Sequence, residues 1–465
     1  MCVLMTGWLL SVDARSEVVG LEERENTPSP WTLDISLSQE YRVRYASAPL
    51  SVTGPLGEPV APRGARDQDL RLTLDALSTG WGGHFVSQVS AALWKDLDGG
   101  AASGDPAYLG DAQDLAQPLV VLYSLTAEWR RQGPLEYARV GRQQATHGLP
   151  VTFDGGALDL RFWDRDATLF GFGGRTVHFF ESSPGLFENW LAGGGVGLRL
   201  AEGMAVEVDS RFLHERILAM GGDLGRWVNT HSYGLTLNVF SETVQGKAYV
   251  RGLNRVASHT GGALRWQSAR LRFGIDAMGA TQLVTLGEVA ESENPYFSML
   301  GASLPHVRGR AEVWKEFAAG GEGLLVVYLG GRLRALLRDE PTRYNRNAAA
   351  AYFRVEVRDV LTKGLFASAL GEWNAQSTGG FSDGFLTLGG SVGFASRKLK
   401  AETGTYFQRF KIAYYQDVEE LQDVRTVFVV AGYRVVPRVE VRGRYVLELL
   451  DRQIHAGYVT VRQEF

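Results

Sequence analysis

The sequence predicts an all-β protein, a single closed transmembrane antiparallel β-barrel of about 22 strands, with 18 or 20 strands as the alternatives. Three observations lead to this fold class. Long segments alternate between apolar and polar residues, short and long connections follow one another, and no run of ~18 apolar residues could cross a bilayer as a helix. Strands whose apolar face meets lipid must close into a barrel, because every backbone amide and carbonyl there needs a partner within the protein.

The first strand shows the clearest alternation. Between Trp31 and Tyr45 the odd positions are apolar or aromatic except for Gln39, whereas every even position is polar or charged. A period of two puts the two sets on opposite faces of a strand. Fifteen residues is long for a globular sheet, in which ~5–6 residues are typical, but suits an oblique membrane crossing. The same alternation recurs at 158–162, 204–209, 271–277, 353–358 and 439–447.

The connections give the strands a direction. Short ones such as Trp163–Asp166 and Ala201–Gly203 alternate with long ones such as Lys95–Gln117 and Thr281–Pro305. This alternation is typical of short periplasmic turns and long extracellular loops. The barrel is therefore predicted to occupy residues 31–465.

Residues 1–14 are predicted to be a truncated signal peptide, because an apolar core from Val3 to Val12 precedes Ala14 although the basic start is missing. A disordered N-terminus is the alternative. Residues 15–30 are charged and contain proline, and they are predicted to form a periplasmic lead-in.

The C-terminal strand, from Gly457 to Phe465, resembles the last strand of bacterial outer-membrane barrels. It ends on an aromatic residue, and Val459 and Val461 share the face of Phe465, while Gln463 departs from the pattern. The resemblance implies a location in the bacterial outer membrane and makes Phe465 an assembly signal for the barrel-assembly machinery. Outer-membrane lipid is then the other expected partner.

Tryptophan provides an independent indication of a membrane protein. Its ring prefers the membrane–water boundary, and all tryptophans except Trp8 lie at or near the ends of predicted strands. The predicted aromatic girdle consists of Trp31, Trp81, Trp94, Trp129, Trp163, Trp190, Trp227, Trp266, Trp314 and Trp373.

The polar faces must then point inward and carry both signs of charge. Of the 48 basic residues only 7 are Lys and 41 are Arg, the residue that pairs best with carboxylates. These side chains form either a neutralising structural network or a hydrated conduit that selects solutes by charge. The candidate pore-lining residues are Asp34, Glu40, Arg42, Arg44, Arg139, Arg142, Gln143, Asp154, Asp159, Arg161, Arg270, Arg272, Asp276, Arg310, Glu312, Arg354, Glu356, Glu440, Arg442 and Arg444.

A Gly-Arg-Gln motif at 141–143, followed by Phe-Asp-Gly at 153–155, resembles alginate-export-type and related substrate-specific porins. The resemblance implies that Arg139, Arg142, Gln143 and Asp154 lie near a pore constriction. Strict alternation puts Arg139 and Gln143 on one face and Arg142 on the other, unless a bulge intervenes. The alternative is a turn at Asp154 with arginines that form salt bridges between strands.

Other function classes find no support. The sequence has no nucleophile-elbow, zinc-protease or phosphate-loop motif, and its eight histidines have no metal-ligand spacing. We therefore expect no enzyme activity, no cofactor or metal, and no nucleic-acid partner. The expected function is a porin-like channel for polar, charged solutes, or a polysaccharide-export barrel with periplasmic partners. A structural or surface-interaction barrel with a closed lumen is the alternative.

Overall fold

In the computed structural model, the described residues are 31–46, 52–53, 59–60, 66–97, 118–145, 151–177, 189–217, 226–289, 303–338, 345–378, 381–415, 418–449 and 453–465. The predicted signal peptide and lead-in lie outside these residues. None of the helices within them is long and apolar enough to span a bilayer.

Among these residues, 22 antiparallel strands form one sheet, and a small separate sheet pairs Val52–Thr53 (β2) with Pro59–Val60 (β3). The strands of the large sheet are Trp31–Ala46 (β1), Arg66–Gly80 (β4), Phe85–Asp96 (β5), Leu119–Gln132 (β6), Leu135–Gln144 (β7), Thr152–Phe162 (β8), Ala167–Val177 (β9), Trp190–Ala201 (β10), Met204–Ile217 (β11), Arg226–Phe240 (β12), Val244–Leu253 (β13), Val256–Ser268 (β14), Phe273–Gln282 (β15), His306–Ala318 (β16), Leu324–Leu336 (β17), Asn347–Arg358 (β18), Leu365–Thr378 (β19), Phe381–Ala395 (β20), Leu399–Tyr415 (β21), Val418–Val436 (β22), Val439–Leu449 (β23) and Gln453–Glu464 (β24).

The sheet closes on itself. Each strand pairs with the next large-sheet strand in the chain, and β1 also pairs with β24 from Ser36↔Glu464 to Ala46↔Ile454. Closure gives both edge strands a partner, which is what a sheet surrounded by lipid requires. The prediction of a closed barrel with 22 strands is confirmed.

The connections at one end of the barrel are all short, as predicted. Two of them are single 3₁₀ turns, Trp81–Gly83 and Trp163–Arg165, and others are tight turns such as the one between Ala201 and Met204. Four connections at the opposite end differ from the prediction of long loops, since only two or three residues separate β13 from β14, β19 from β20, β21 from β22 and β23 from β24. There β13 and β14 join through Asn254 and Arg255 alone, with Leu253 paired to Val256. Asn254 allows so tight a turn because it adopts a positive φ of 54°.

The register divides the side chains into two faces. In β1 the face of Leu33, Leu37 and Tyr45 is apolar and exposed, whereas the face of Arg42 and Arg44 carries ion pairs to β4. An apolar face must meet the lipid, so the charged face lines the interior. The one short helix of the described chain, Leu286–Val289 (α1), follows β15.

Candidate functional site: the charged inner wall

The inner wall is built from ion pairs between neighbouring strands. Arg44 Nε donates to Asp67 Oδ2 at 2.6 Å, and Arg42 Nε donates to Asp69 Oδ2 at 2.7 Å. Both carboxylates are buried, with 5% and 6% of their surface exposed. The pairs form because β1 and β4 bring Arg42 opposite Asp69 and Arg44 opposite Asp67.

A second type of contact passes over an intervening strand. Arg251 on β13 pairs with Asp209 on β11, and the residue between them on β12 is Gly234. A methyl group on Gly234 would overlap the guanidinium of Arg251, so glycine is what allows this contact. In the same way, the hydroxyl of Tyr352 on β18 donates to Glu312 on β16 at 2.9 Å across Gly330. These bridges fix the arrangement of charge across several strands.

The charges of the inner wall are unevenly distributed around the barrel. On β1, β4 and β5 the inner face carries six carboxylates and three arginines, which are Asp34, Glu40, Asp67, Asp69, Asp75 and Asp96, with Arg42, Arg44 and Arg71. On β16, β17 and β18 it carries six arginines and three carboxylates, which are Arg308, Arg310, Arg332, Arg334, Arg354 and Arg358, with Glu312, Glu316 and Glu356.

We refer to these two sets as the acidic arc and the basic arc. Their central strands, β4 and β17, stand nine steps apart around a 22-strand ring in which 11 steps would be diametrically opposite. An electric field across the lumen follows from this separation, since the two arcs have opposite net charge.

Within the basic arc, arginines lie opposite each other on neighbouring strands. Arg308 lies opposite Arg334 in the register, and Arg310 lies opposite Arg332. Like charges in such positions repel each other. Part of this charge is balanced, because Arg332 pairs with Glu372 and Arg310 donates to Glu312 at 3.2 Å. Arg308 remains exposed on the inner wall.

A different stretch of the inner wall is buried. Val151, Phe153, Leu191 and Leu213 form an apolar cluster on the inner side of β8 to β11, and none of them exposes more than 3% of its surface. Arg211 beside them is 2% exposed, with its guanidinium 5.3 Å from the Phe172 ring centre. This part of the wall is covered rather than open to water.

Most of the candidate pore-lining residues lie on the inner face, namely Asp34, Glu40, Arg42, Arg44, Arg139, Gln143, Asp159, Arg161, Asp276, Arg310, Glu312, Arg354, Glu356, Glu440, Arg442 and Arg444. Arg139 pairs there with Glu128, and Gln143 is buried at 3% exposure with its amide donating to the Gly155 carbonyl.

Four of the candidates lie elsewhere. Arg142 and Asp154 face outward, because the register of β7 with β8 runs from Tyr137 to Gln144 without a shift and strict alternation therefore holds. They are hydrogen-bonded to each other through two contacts of 2.7 Å. Arg270 and Arg272 belong to the short turn between β14 and β15, where Arg272 has a positive φ of 47°.

The register also shows that the tryptophans of the predicted aromatic girdle do not all lie on the same face of the barrel. Trp31, Trp81 and Trp129 form one aromatic cluster with Phe85 at the short-turn end, and Trp163 lies in a turn at the same end. Among the other predicted members, the outward-facing ones are Trp190, Trp227, Trp266 and Trp373.

Trp94 and Trp314 face inward instead. The Arg71 guanidinium lies 4.3 Å from the Trp94 ring centre, and Trp314 covers Gly274. A position near a strand end does not determine which face a residue occupies, because the face depends on the register.

The sequence prediction missed several inner charges, including Asp67, Asp69, Glu128, Asp209, Arg251, Arg308, Arg332 and Arg334. Alternation could have revealed Asp67 and Asp69, since they alternate with the outward-facing Gln68 and Leu70. The contacts between Arg251 and Asp209 could not be foreseen, because they depend on a neighbour two strands away.

Among the described residues, one Ser–His contact lies on the outer face. Ser210 Oγ and His231 Nε2 are 2.8 Å apart. Acyl transfer also needs hydrogen-bond donors for the oxyanion, but the backbone around Ser210 is paired with both β10 and β12. Within the described residues, no group of three acidic, histidine or cysteine side chains could hold a metal ion.

Comparison with known proteins identifies the fold. No family model and no curated protein matches the sequence. The solved translocation pore of the P pilus usher PapC is 8% identical, with a TM-score of 0.52 over 93% of this chain and 99% of that one.

Two further solved structures show a weaker similarity. OccAB3 of Acinetobacter baumannii is 10% identical, with a TM-score of 0.44 over 94% of this chain and 99% of that one. A BenF-like porin from Pseudomonas fluorescens is 11% identical, with a TM-score of 0.45 over 94% and 98%. The similarity to the PapC pore confirms, at the level of the fold, the resemblance to outer-membrane barrels inferred from the C-terminal strand. The closed barrel with its apolar outer face is a protein of the bacterial outer membrane.

Proposed function

We propose that this barrel is a porin-like channel that passes polar, charged solutes through a lumen with an acidic and a basic side. The observation that supports this proposal best is the separation of the acidic arc from the basic arc. Two arcs of opposite sign attract and orient dipolar or charged solutes, and they disfavour apolar solutes that cannot replace lost hydration.

The arginines of the basic arc are the part of the wall best suited to a carboxylate-bearing solute. Arg308 is exposed and Arg334 lies opposite it, with its guanidinium donating to Ser303 and to Asn345 at 3.1 and 3.2 Å. A guanidinium held in place by neutral partners keeps its charge available for an anion. Anions are therefore expected to enter along β16 and β17.

The test is the reversal potential of the purified barrel in planar bilayers under a salt gradient. Arg308→Gln combined with Arg334→Gln is expected to shift ion selectivity toward cations, because two positive charges leave the wall. Arg425→Gln is the matched control, since Arg425 faces outward between Phe407 and Leu449 and should leave selectivity unchanged. Equal reversal potentials for all three proteins would refute the charge-selective channel.

A structural barrel with a closed lumen is the second candidate, and the buried inner cluster around Phe153 and Arg211 favours it. A folded barrel that shows no conductance would support this alternative. Polysaccharide export is a third prediction, and it differs from diffusion in requiring periplasmic partners before any polymer crosses.

A further inference from the structure

A row of charged and aromatic side chains crosses the outer face near the long-loop end. The register aligns Arg142, Asp154, Arg175, Trp190, His214 and Asn229 across six consecutive strands, β7 to β12. We call these six residues the upper row. Most of the outer face below it is apolar, so the upper row is a chemically distinct zone on the lipid-facing surface.

The height of the upper row can be estimated along β11. His214 lies ten residues above Met204, the first residue of that strand and also an outward-facing one. Ten residues extend about 33 Å along a strand. At a tilt of about 40° this corresponds to about 25 Å across the membrane, which matches the apolar band of outer-membrane barrels. His214 therefore lies at the boundary between the outer leaflet and its headgroups. Arg175 lies eight residues above Ala167, the first residue of β9, which places its backbone about 5 Å deeper, and its long side chain reaches up to the same level.

Side chains of the upper row form hydrogen bonds with one another and stack with neighbouring aromatic rings. Arg142 forms two hydrogen bonds to Asp154, His214 Nδ1 lies 2.7 Å from Asn229 Oδ1, and the His214 ring stacks on Trp227 with centroids 4.4 Å apart. Trp190 packs against the other side of His214 at 5.6 Å. The His214 ring is thus held between the Trp190 and Trp227 rings.

Positive charge predominates here. Arg142 and Arg175 belong to the row, and Arg216 lies beside it with its guanidinium 5.9 Å from the Trp227 ring centre. Among the described outward-facing side chains at this end of β7 to β12, Asp154 is the one carboxylate. Three arginines against one carboxylate at headgroup level complement a ligand with several negative charges, and guanidinium groups match phosphate in geometry as well as in charge.

We propose that the upper row, together with Arg216, binds the phosphorylated glycolipid of the outer leaflet through its phosphate groups, while the Trp190 and Trp227 rings contact the lipid below the phosphates. The outer face immediately beneath Asp154, Arg175 and Trp190 is smooth, with Gly156, Gly173 and Ala192 in the next outward positions. Acyl chains can lie flat against such a surface. The proposal concerns lipid binding and does not depend on the lumen being open.

Native mass spectrometry of the full-length barrel in detergent micelles tests this proposal. The probes are purified bisphosphorylated lipid A and the same lipid after enzymatic removal of its phosphates. The wild-type barrel is expected to bind the first lipid more tightly. Arg175→Gln combined with Arg216→Gln should weaken that binding about 30-fold, since each arginine near a lipid surface contributes about a factor of five.

Arg425→Gln serves as the control, because it removes one outward-facing arginine from the long-loop end of β22 without touching the upper row. It should bind lipid A as the wild type does. Folding of each variant is checked by its heat-dependent gel mobility, and the comparison of the two lipids on the wild-type barrel needs no variant.

Equal affinity of the wild type for the phosphorylated and dephosphorylated lipids would overturn the proposal. So would equal lipid A binding by the Arg175/Arg216 variant and the Arg425 variant. Dimers of the wild-type barrel that disappear in the Arg175/Arg216 variant would identify a second copy of the chain as the occupant instead.

Discussion

Glu128 shows how a single carboxylate can organise the inner wall. Its two oxygens accept hydrogen bonds from Arg130 on its own strand and from Arg139 on β7, and its side chain is 5% exposed. A buried carboxylate between two guanidinium groups neutralises charges that would otherwise repel each other. Glu128 is therefore a structural residue of the wall.

Glu128→Gln is expected to destabilise the folded barrel by about 2 kcal/mol, because the partly buried Arg139 loses its charged partner, whereas Arg130 is 43% exposed and can be hydrated. The measurement is urea-dependent unfolding in micelles, followed by tryptophan fluorescence. The control is Glu322→Gln in the exposed turn pair with Lys363, where both side chains are more than three-quarters exposed. That substitution should cost less than about 1 kcal/mol. Similar losses for the two variants would contradict this account of Glu128.

In strand β7, the backbone at Gly141 determines how closely the strand can approach β6. Gly141 has a φ of +118°, and a Cβ there would overlap the carbonyl oxygen of Leu125 on β6. A side chain is excluded both by this conformation and by the close approach of β6. The Gly-Arg-Gln motif therefore owes its glycine to strand geometry, and its arginine points to lipid rather than to the lumen.

Gly141→Ala is expected to destabilise the barrel by about 1–3 kcal/mol, because β6 and β7 must move apart. Gly156→Ala on the adjoining strand is the matched control, since its nearest neighbour, the Arg139 carbonyl oxygen, would lie 3.8 Å from the new Cβ. Gly156→Ala should change stability by less than about 1 kcal/mol. The temperature at which the folded gel band disappears measures both effects, and equal transition temperatures for the two variants would refute the assignment.

Closure of the barrel depends on the contact between its first and last strands. The amide of Phe465 donates to the Ile35 carbonyl at 2.9 Å, and Ser36 to Glu40 pair with residues 464 to 460. Without these pairs two strand edges would expose unpaired amides and carbonyls to lipid, at a cost of several kcal/mol per group.

Deletion of residues 460–465 is expected to prevent closure both in cells and during refolding in micelles, because five pairs of the seam are lost. Phe465→Ala keeps every backbone pair of the seam. If Phe465 is the assembly signal, this variant should refold in micelles like the wild type but accumulate less folded barrel in the outer membrane. The heat-modifiable fraction in membrane extracts and in refolded samples measures both. Normal assembly of Phe465→Ala in cells would show that closure alone matters.

The sequence by itself determined the fold class and the general division between lipid-facing and inward-facing residues, and it indicated about 22 strands with 18 or 20 as alternatives. It did so because alternation is a local property, so the faces of Leu33 and Arg42 follow from their position in one strand. The tertiary structure decided which strands bring their charges together. Only the register of β7 with β8 turned Arg142 and Asp154 outward, and only ring closure set the acidic arc across from the basic arc. These features depend on partners distant in the sequence, and a pattern within a single strand carries no information about them.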